Sequence, residues 1–297
     1  MNYVIVVPAK DEELNIEYTL KSICNQTILP KICVIIDDNS TDNTSGIVNY
    51  YAHNYEFIRY YEYIKTKKYR LGSRVVEIFN FGKQIIDQLS IKYDYIVKLD
   101  ADVSFSNDFF EQISKETINK QLGIFSGTPY FIKNNHKYIE NNPAWHSRGQ
   151  FKIYKTECLS QIVGLSKSLG WDCADNIKAI ELGWKTAAFP TIYYRIHRRI
   201  GHKYSHYKGK ANHGLGAYYL GYSFPYFILR ILVHIFKPPY IIGAWFMFVG
   251  YLQGVFSFKK RILNPTQVSL LRKMLWNSLF QRLKTRMHLN SLFSICK

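Results

Sequence analysis

A chain of 297 residues, 47% hydrophobic and 21% charged, is long enough to bury a sizeable core and too apolar to be disordered. A formal charge of +17 with 24 tyrosines excludes an acidic solvating chain and points to an anionic partner: nucleotide phosphates, an anionic membrane surface or nucleic acid. The five cysteines, at positions 24, 33, 158, 173 and 296, form no Cys-x-x-Cys pair and read as reduced thiols of a cytosolic protein.

Residues 3–7 (Tyr-Val-Ile-Val-Val) predict a short buried parallel strand, followed by Pro8. No basic region with an apolar run and cleavage site precedes it, so no secretory signal is read and the folded part is expected to face the cytosol. A helix from about Glu12 would carry Ile16, Thr19, Leu20, Ile23 and Cys24 on one face. Residues 32–36 form a second buried run that ends in Asp37-Asp38-Asn39-Ser40-Thr41-Asp42, and residues 57–61 fit a third strand. Val75, Ile78, Phe79, Gly82, Ile85, Ile86 and Leu89 recur at helical spacing. Strand 95–99 then ends in Asp100-Ala101-Asp102. This alternation predicts a mostly parallel α/β sheet flanked by helices.

Side chains alternate along a strand, so Asp100 and Asp102 point the same way where the chain stays extended. Two carboxylates held close favour a hard divalent ion, which in turn can grip a diphosphate. The plainer reading is a solvated strand end, with Asp108 capping the next helix. What favours the first is convergence: polar residues cluster after three strands, at 8–13, 37–42 and 100–102, where open α/β sheets bind ligands.

Farther along, 122–127 and 150–154 fit strands with a polar loop at 133–145 between them. Gly170-Trp171-Asp172-Cys173-Ala174-Asp175-Asn176 precedes a short helix at 177–182, and 185–189 fits another strand. His202, His206 and His213 lie on a polar Tyr/Lys/Gly segment read as a loop over the site, with no zinc-ligand spacing. From about Gly214 the chain turns aromatic and basic, which sets expected domains of 1–213 and 214–297. The uncharged run 240–256 stands at the lower limit for a spanning helix and is followed at once by Lys259-Lys260-Arg261. Residues 268–289 alternate apolar and basic positions, as a surface-lying helix does. Membrane attachment is expected of this region, and a full span is not.

Taken together, these segments resemble the family 2 glycosyltransferases, inverting enzymes of the GT-A fold. Val7-Pro8-Ala9-Lys10-Asp11-Glu12 is similar to the family's Pro-Ala-x-Asn-Glu signature, with Asp in place of Asn. Ile36-Asp37-Asp38-Asn39-Ser40-Thr41-Asp42 resembles its Asp-Asp-x-Ser-x-Asp loop, Asn80-Phe81-Gly82 its Asn-x-Gly, and Asp100-Ala101-Asp102 its Asp-x-Asp. The resemblance implies a GT-A (Rossmann-like) domain that binds a nucleotide-sugar donor through Pro8, Ala9, Glu12, Asp38, Asp100 and Ala101. Asp38 would accept from the nucleobase imide, which favours UDP-type donors. It also implies a divalent metal, Mn2+ or Mg2+, on Asp102 and Asp100, with His197 of Arg195-Ile196-His197-Arg198-Arg199 near the metal or diphosphate. The catalytic base is left between Asp175 and Asp172, because the family's acidic doublet is absent; Asp175 is preferred as the residue opening the helix.

The reading is therefore an inverting transferase acting on a hydroxyl of a glycan or lipid-linked acceptor, at the cytosolic face of a membrane, in cell-surface polysaccharide or glycolipid synthesis. A polyprenyl-phosphate sugar synthase is the alternative with the same fold. Nucleic-acid binding is the distant one, since the basic residues form no known reader motif.

Overall fold

Uninterrupted β-branched runs set the first half of the fold. In the structure, a computed structural model describing residues 1–64, 72, 74–118, 120–140, 142–197 and 206–295, they become β1 (Tyr3–Ala9), β2 (Cys33–Asp37), β3 (Ile58–Glu62) and β4 (Tyr95–Leu99). Between them lie α1 (Ile16–Cys24), α2 (Thr44–Asn54) and α3 (Arg74–Gln88). Then follow β5 (Val103–Phe105), α4 (Phe109–Thr117), β6 (Leu122–Lys133), β7 (His136–Ile139), β8 (Phe151–Lys155), α5 (Thr156–Gln161), α6 (Trp171–Glu181) and β9 (Lys185–Ile196). The C-terminal helices are α7 (His206–Tyr219), α8 (Phe224–Ile235), α9 (Tyr240–Phe256) and α10 (Pro265–Ile295).

One sheet runs in the order β3-β2-β1-β4-β8-β6-β9-β5, with β7 on β6. Its first half, β3 to β4, is parallel as expected. Beyond β4 the sheet is mixed: β8 runs antiparallel to both β4 and β6, β9 is parallel to β6, and β5 is antiparallel to β9. Alternation along β1 sorts the core onto two faces. Tyr3, Ile5 and Val7 pack with Leu20, Val97, Phe110 and Phe151, whereas Val4 and Val6 pack with Ile36, Phe79, Ile86 and Tyr154. Gly82 explains the Asn-x-Gly on α3: a Cβ there would sit 2.5 Å from Val6 Cγ1 and 3.2 Å from Ile36 Cγ1. Only glycine lets the helix lie so close on β1 and β2.

Three expectations change, and one helix was not expected. Segment 133–145 is not all loop but holds β7, which closes a hairpin on β6. Helix α2 follows Asp37–Asp42 without a strong apolar stripe to announce it. The polar segment around His213 is helix α7, not a loop; His202, Arg198 and Arg199 lie outside the described residues, as does Cys296. Finally, the chain divides into units Met1–His202 and Lys203–Lys297, ahead of the expected boundary at Gly214.

The reason for that boundary is the glycine content of α7 and α9. A Cβ on Gly214 would collide with the Met247 carbonyl, and one on Gly250 with the Ala211 carbonyl. The two helices thus cross backbone to backbone, and α7 belongs with the C-terminal helices. At 17 residues α9 keeps its expected bounds, and no helix among the described residues is long and apolar enough to cross a membrane.

Candidate active site

The ends of β1 and β2 form one interlocked wall. Pro8 and Ala9 stand in register with Ile36 and Asp37, and Asp38 N–H donates to the Ala9 carbonyl at 2.8 Å. The following turns then exchange hydrogen bonds. Asp11 N–H donates to Ser40 Oγ (2.9 Å), Thr41 N–H to Asp11 Oδ1 (2.8 Å), and Glu12 N–H to Thr44 Oγ1 (2.8 Å). Asp11 has φ 51° and Asn39 φ 56°, a left-handed conformation that Asp and Asn tolerate better than other side chains do. The replacement of Asn by Asp at position 11 therefore preserves the turn. Asp37 is tied inward, accepting from Ser40 N–H and from Tyr60 Oη, both at 2.9 Å. Buried Asp38 is gripped at both oxygens by Arg74, through Nε at 2.9 Å and through a terminal guanidinium nitrogen. Arg74 lies over the Tyr63 ring and is pushed up by its bond to Asp38.

At the end of β4, Asp100 and Asp102 are half-buried and Ala101 is buried between them. Asp100 is paired with Lys98, whose ammonium also donates to the Gly149 carbonyl at 2.7 Å. On the adjacent antiparallel strand, Lys152 stands directly opposite Lys98. Both side chains are buried, and their ammonium groups lie 5.5 and 5.6 Å from the Trp171 ring. Two like charges opposite each other in a sheet are destabilising unless each has a partner. Lys98 has Asp100; Lys152 donates to Asp175 Oδ1 and to the Asp172 carbonyl, both at 2.6 Å.

Helix α6 starts at Trp171, earlier than the expected 177, so Asp172 and not Asp175 occupies its first turn. Asp175 is 1% exposed and accepts from Lys152, from Tyr154 Oη (2.6 Å) and from Asn176 N–H (2.7 Å). Burial raises its carboxyl above the ordinary value against the pull of Lys152. Asp175 is thus buried in a hydrogen-bonded pair beyond the first turn of α6, and not exposed at the helix start as expected. Asp172 is 28% exposed in its side chain, with Oδ2 3.9 Å from His146 Nε2. Burial works to raise its carboxyl, but His146 in its protonated form, together with Lys152 and Arg148, outweighs burial and holds it below the ordinary value. Burial keeps His146 itself neutral, down at about 3.

Gly149 joins the two halves. A Cβ there would lie 3.1 Å from the Trp171 ring and 3.2 Å from Asp172 Cβ, while its carbonyl binds the lysine that pairs with Asp100. Asp100 N–H also donates to the Gln150 carbonyl at 2.8 Å. Asp172 and Asp100 are thereby both held against the short segment 149–150.

His197 N–H donates to the Asp102 carbonyl at 2.9 Å, which brings the residue to the strand end as expected. Its ring, however, stacks on Tyr18 at 4.3 Å, and Nε2 lies 2.7 Å from Ser104 Oγ. Burial and Arg195 lower it to about 4. Among the described residues no three His, Cys, Asp or Glu side chains are grouped to hold a metal, so Asp100, Asp102 and His197 are not a ready three-ligand set. The donors still suit a hard ion. Mg2+ and Mn2+ sites of this kind use one or two carboxylates and complete their shell with phosphate and water oxygens.

Lys98, Lys152, Arg74, His146 and Gly149 were not among the expected site residues. The lysines did leave a signal, since a lysine inside an apolar strand (Tyr-Ile-Val-Lys-Leu, Phe-Lys-Ile-Tyr) needs a buried anion. Arg74, His146 and Gly149 left none.

A doubly covered sheet with its polar loops at the carboxyl ends of β1, β2 and β4 defines the GT-A class. Residues 4–75 match the family model Glycosyl transferase family 2. The chain is 24% identical over 178 residues to 4,4'-diaponeurosporenoate glycosyltransferase of Staphylococcus haemolyticus, a match covering 56% of this chain and only 40% of that protein. Among solved structures it resembles the mannosyltransferase PcManGT of Pyrobaculum calidifontis in complex with GDP-Man and Mn2+. There the TM-score is 0.56 at 15% identity, over 98% of this chain and 84% of that one. It also resembles S. aureus TarS 1-349 in complex with UDP-GlcNAc, with TM-score 0.54 at 17% identity, over 87% and 74% of the two chains. At these identities the likeness is one of fold.

Proposed function

We propose that this chain is an inverting glycosyltransferase that moves a sugar from a nucleotide-diphosphate donor, of UDP type, to a hydroxyl of a glycan or lipid-linked acceptor. The observation that carries this is the placement of Asp172, partly exposed and ionised, beside Gly149, whose carbonyl binds the lysine paired with Asp100 at the end of β4. The setting is cell-surface polysaccharide or glycolipid synthesis at the cytoplasmic face of a membrane. Solved relatives with GDP-Man and Mn2+, or with UDP-GlcNAc, support a nucleotide-sugar donor.

The wall of 8–12 and 37–44 borders the nucleoside, with Pro8, Ala9 and Glu12 beside base and ribose. Asp38 uses two of its four lone-pair sites on Arg74 and offers the others to a nucleobase N–H. Asp102 and Asp100 would hold a divalent ion, which when bound neutralises charge on the diphosphate. Asp172 takes the proton of the acceptor hydroxyl as its oxygen bonds to the anomeric carbon; the bond to the diphosphate breaks on the opposite face, and the configuration inverts. Lys98 keeps Asp100 in place, and Lys152 anchors the first turn of α6 through the Asp172 carbonyl.

Calorimetric titration with UDP and GDP, with and without Mn2+, tests the reading on wild type and Asp102→Ala. The expected result is UDP binding that needs both the metal and Asp102. No binding of either nucleotide would overturn it.

A further inference from the structure

The C-terminal unit is built inside out for water. Between Lys203 and Lys297 the sequence holds fourteen Lys and Arg and neither Asp nor Glu, so most of the +17 charge resides there. Helix α9 buries Gly243, Ala244, Gly250 and Gly254, with Met247 and Tyr251, toward its helix neighbours and turns its other bulky side chains outward. Ile241 is 69% exposed and Trp245 60% exposed, with Val255 and Phe256 continuing the outer side. On α8, Leu229, Leu232, Val233 and Phe236 recur at i, i+3, i+4 and i+7, all exposed, and Phe236 is 82% exposed at the hairpin tip. A water-facing helix shows polar residues on this side. Small residues inside and large apolar ones outside are the arrangement of helices surrounded by lipid.

We propose that the exposed apolar face of the α8–α9 hairpin is a membrane-insertion surface, seated in one leaflet of an anionic bilayer without crossing it. Three observations on the unit select this occupant. On each of two packed helices the exposed apolar residues recur on one side at helical spacing, a clustering that a scattered hydrophobic surface lacks. Exposed Lys259, Lys260 and Arg261 follow directly on exposed Phe256 and Phe258, so cations stand where the apolar surface meets the headgroups. And a unit with no carboxylate repels a second copy of itself while attracting an anionic surface. Because no described helix is both long and apolar enough to span, the hairpin lies in the interface, with its apolar side buried about 5–10 Å deep. Of the two segments expected at the membrane, 240–256 carries this contact together with α8, whereas α10 buries Val268, Leu271 and Leu275 within the unit.

The full chain is tested by flotation with vesicles of phosphatidylcholine alone and with about 30 mol% phosphatidylglycerol. It is expected to float with the anionic vesicles and about tenfold less with the neutral ones. Brominated acyl chains should quench a fluorescence component that is missing from Trp245→Phe. Phe236→Ser with Ile241→Ser should lower the floated fraction about tenfold. Both positions are exposed, so the circular dichroism and UDP binding of the double variant stay those of wild type. Flotation that vanishes in high salt, with no quenching of Trp245, would mean adsorption by charge alone and overturn insertion. So would a dimer in light scattering that Ile241→Ser dissolves, or retention on duplex DNA with no flotation. Flotation reads no sugar chemistry, so its failure leaves the transferase reading standing.

Discussion

Asp172 and Asp175 lie three positions apart on one helix, yet their surroundings differ: Asp175 is buried and Asp172 is partly exposed. Asp175 completes a buried pair with Lys152, and removing one partner of such a pair leaves an uncompensated charge. Lys152→Met is therefore expected to destabilise the protein by about 3–5 kcal/mol, read by urea unfolding, with part of the loss recovered in the double variant Lys152→Met/Asp175→Leu. Asp172→Asn should instead leave the unfolding midpoint nearly unchanged, keep UDP affinity, and lower kcat by about 10³-fold. Retained activity in that variant would favour a lipid phosphate acceptor, which is already ionised and needs no base. The Asp-x-x-Asp spacing was legible in the sequence; which of the two faces solvent was not, because it depends on where α6 begins relative to β8.

At the scale of elements, close approach is delegated to glycine. Gly82 seats α3 on β1 and β2, Gly149 seats Trp171 and Asp172 beside β4, and Gly214 with Gly250 brings α7 against α9. The consequences differ with what each contact positions. Gly82→Ala should cost about 1–3 kcal/mol by overpacking against Val6, visible as a lower Tm. Gly149→Ala meets a tight but yielding contact and should displace Asp172 by a few tenths of an ångström. A fall in kcat of about tenfold or more, with Tm and UDP affinity held, is the expected signature. Strands β1 to β4 were readable because buried parallel strands are continuous apolar runs. Helix α2 and strand β7 were not, since α2 buries only Thr44, Val48 and Tyr51, β7 is exposed throughout, and their stability comes from neighbours and not from their own pattern.

For the molecule as a whole, acid is the expected weakness. His146, His197 and His234 are lowered to about 3, 4 and 3, chiefly by burial, so each stays neutral in the folded chain while its unfolded counterpart protonates near 6.5. Over the window from about 6.5 down toward 4 the unfolded state binds more protons, and stability falls as pH falls. Scanning calorimetry should show a clearly lower Tm at pH 5 than at pH 7.5, and His197→Gln should narrow that difference. An equal Tm at both values would contradict the buried neutral state of these rings.

What the sequence determined by itself is the order of the first strands, the carboxylates at their ends, and the basic, aromatic character of the last third. These are local properties: an apolar run, an adjacent Asp, a missing acid. Only the tertiary structure decided that Asp175 is a buried ion-pair partner while Asp172 is open. It also decided that Arg74 holds Asp38 and that Ser104 and Tyr18 hold the His197 ring. Likewise, the glycines that seemed to interrupt a spanning helix are the contact face of α9, which turns its bulky side chains outward. Each of these depends on which distant segment arrives beside a residue, and pairing across the sheet, such as Lys98 opposite Lys152, is set by register that no single segment encodes.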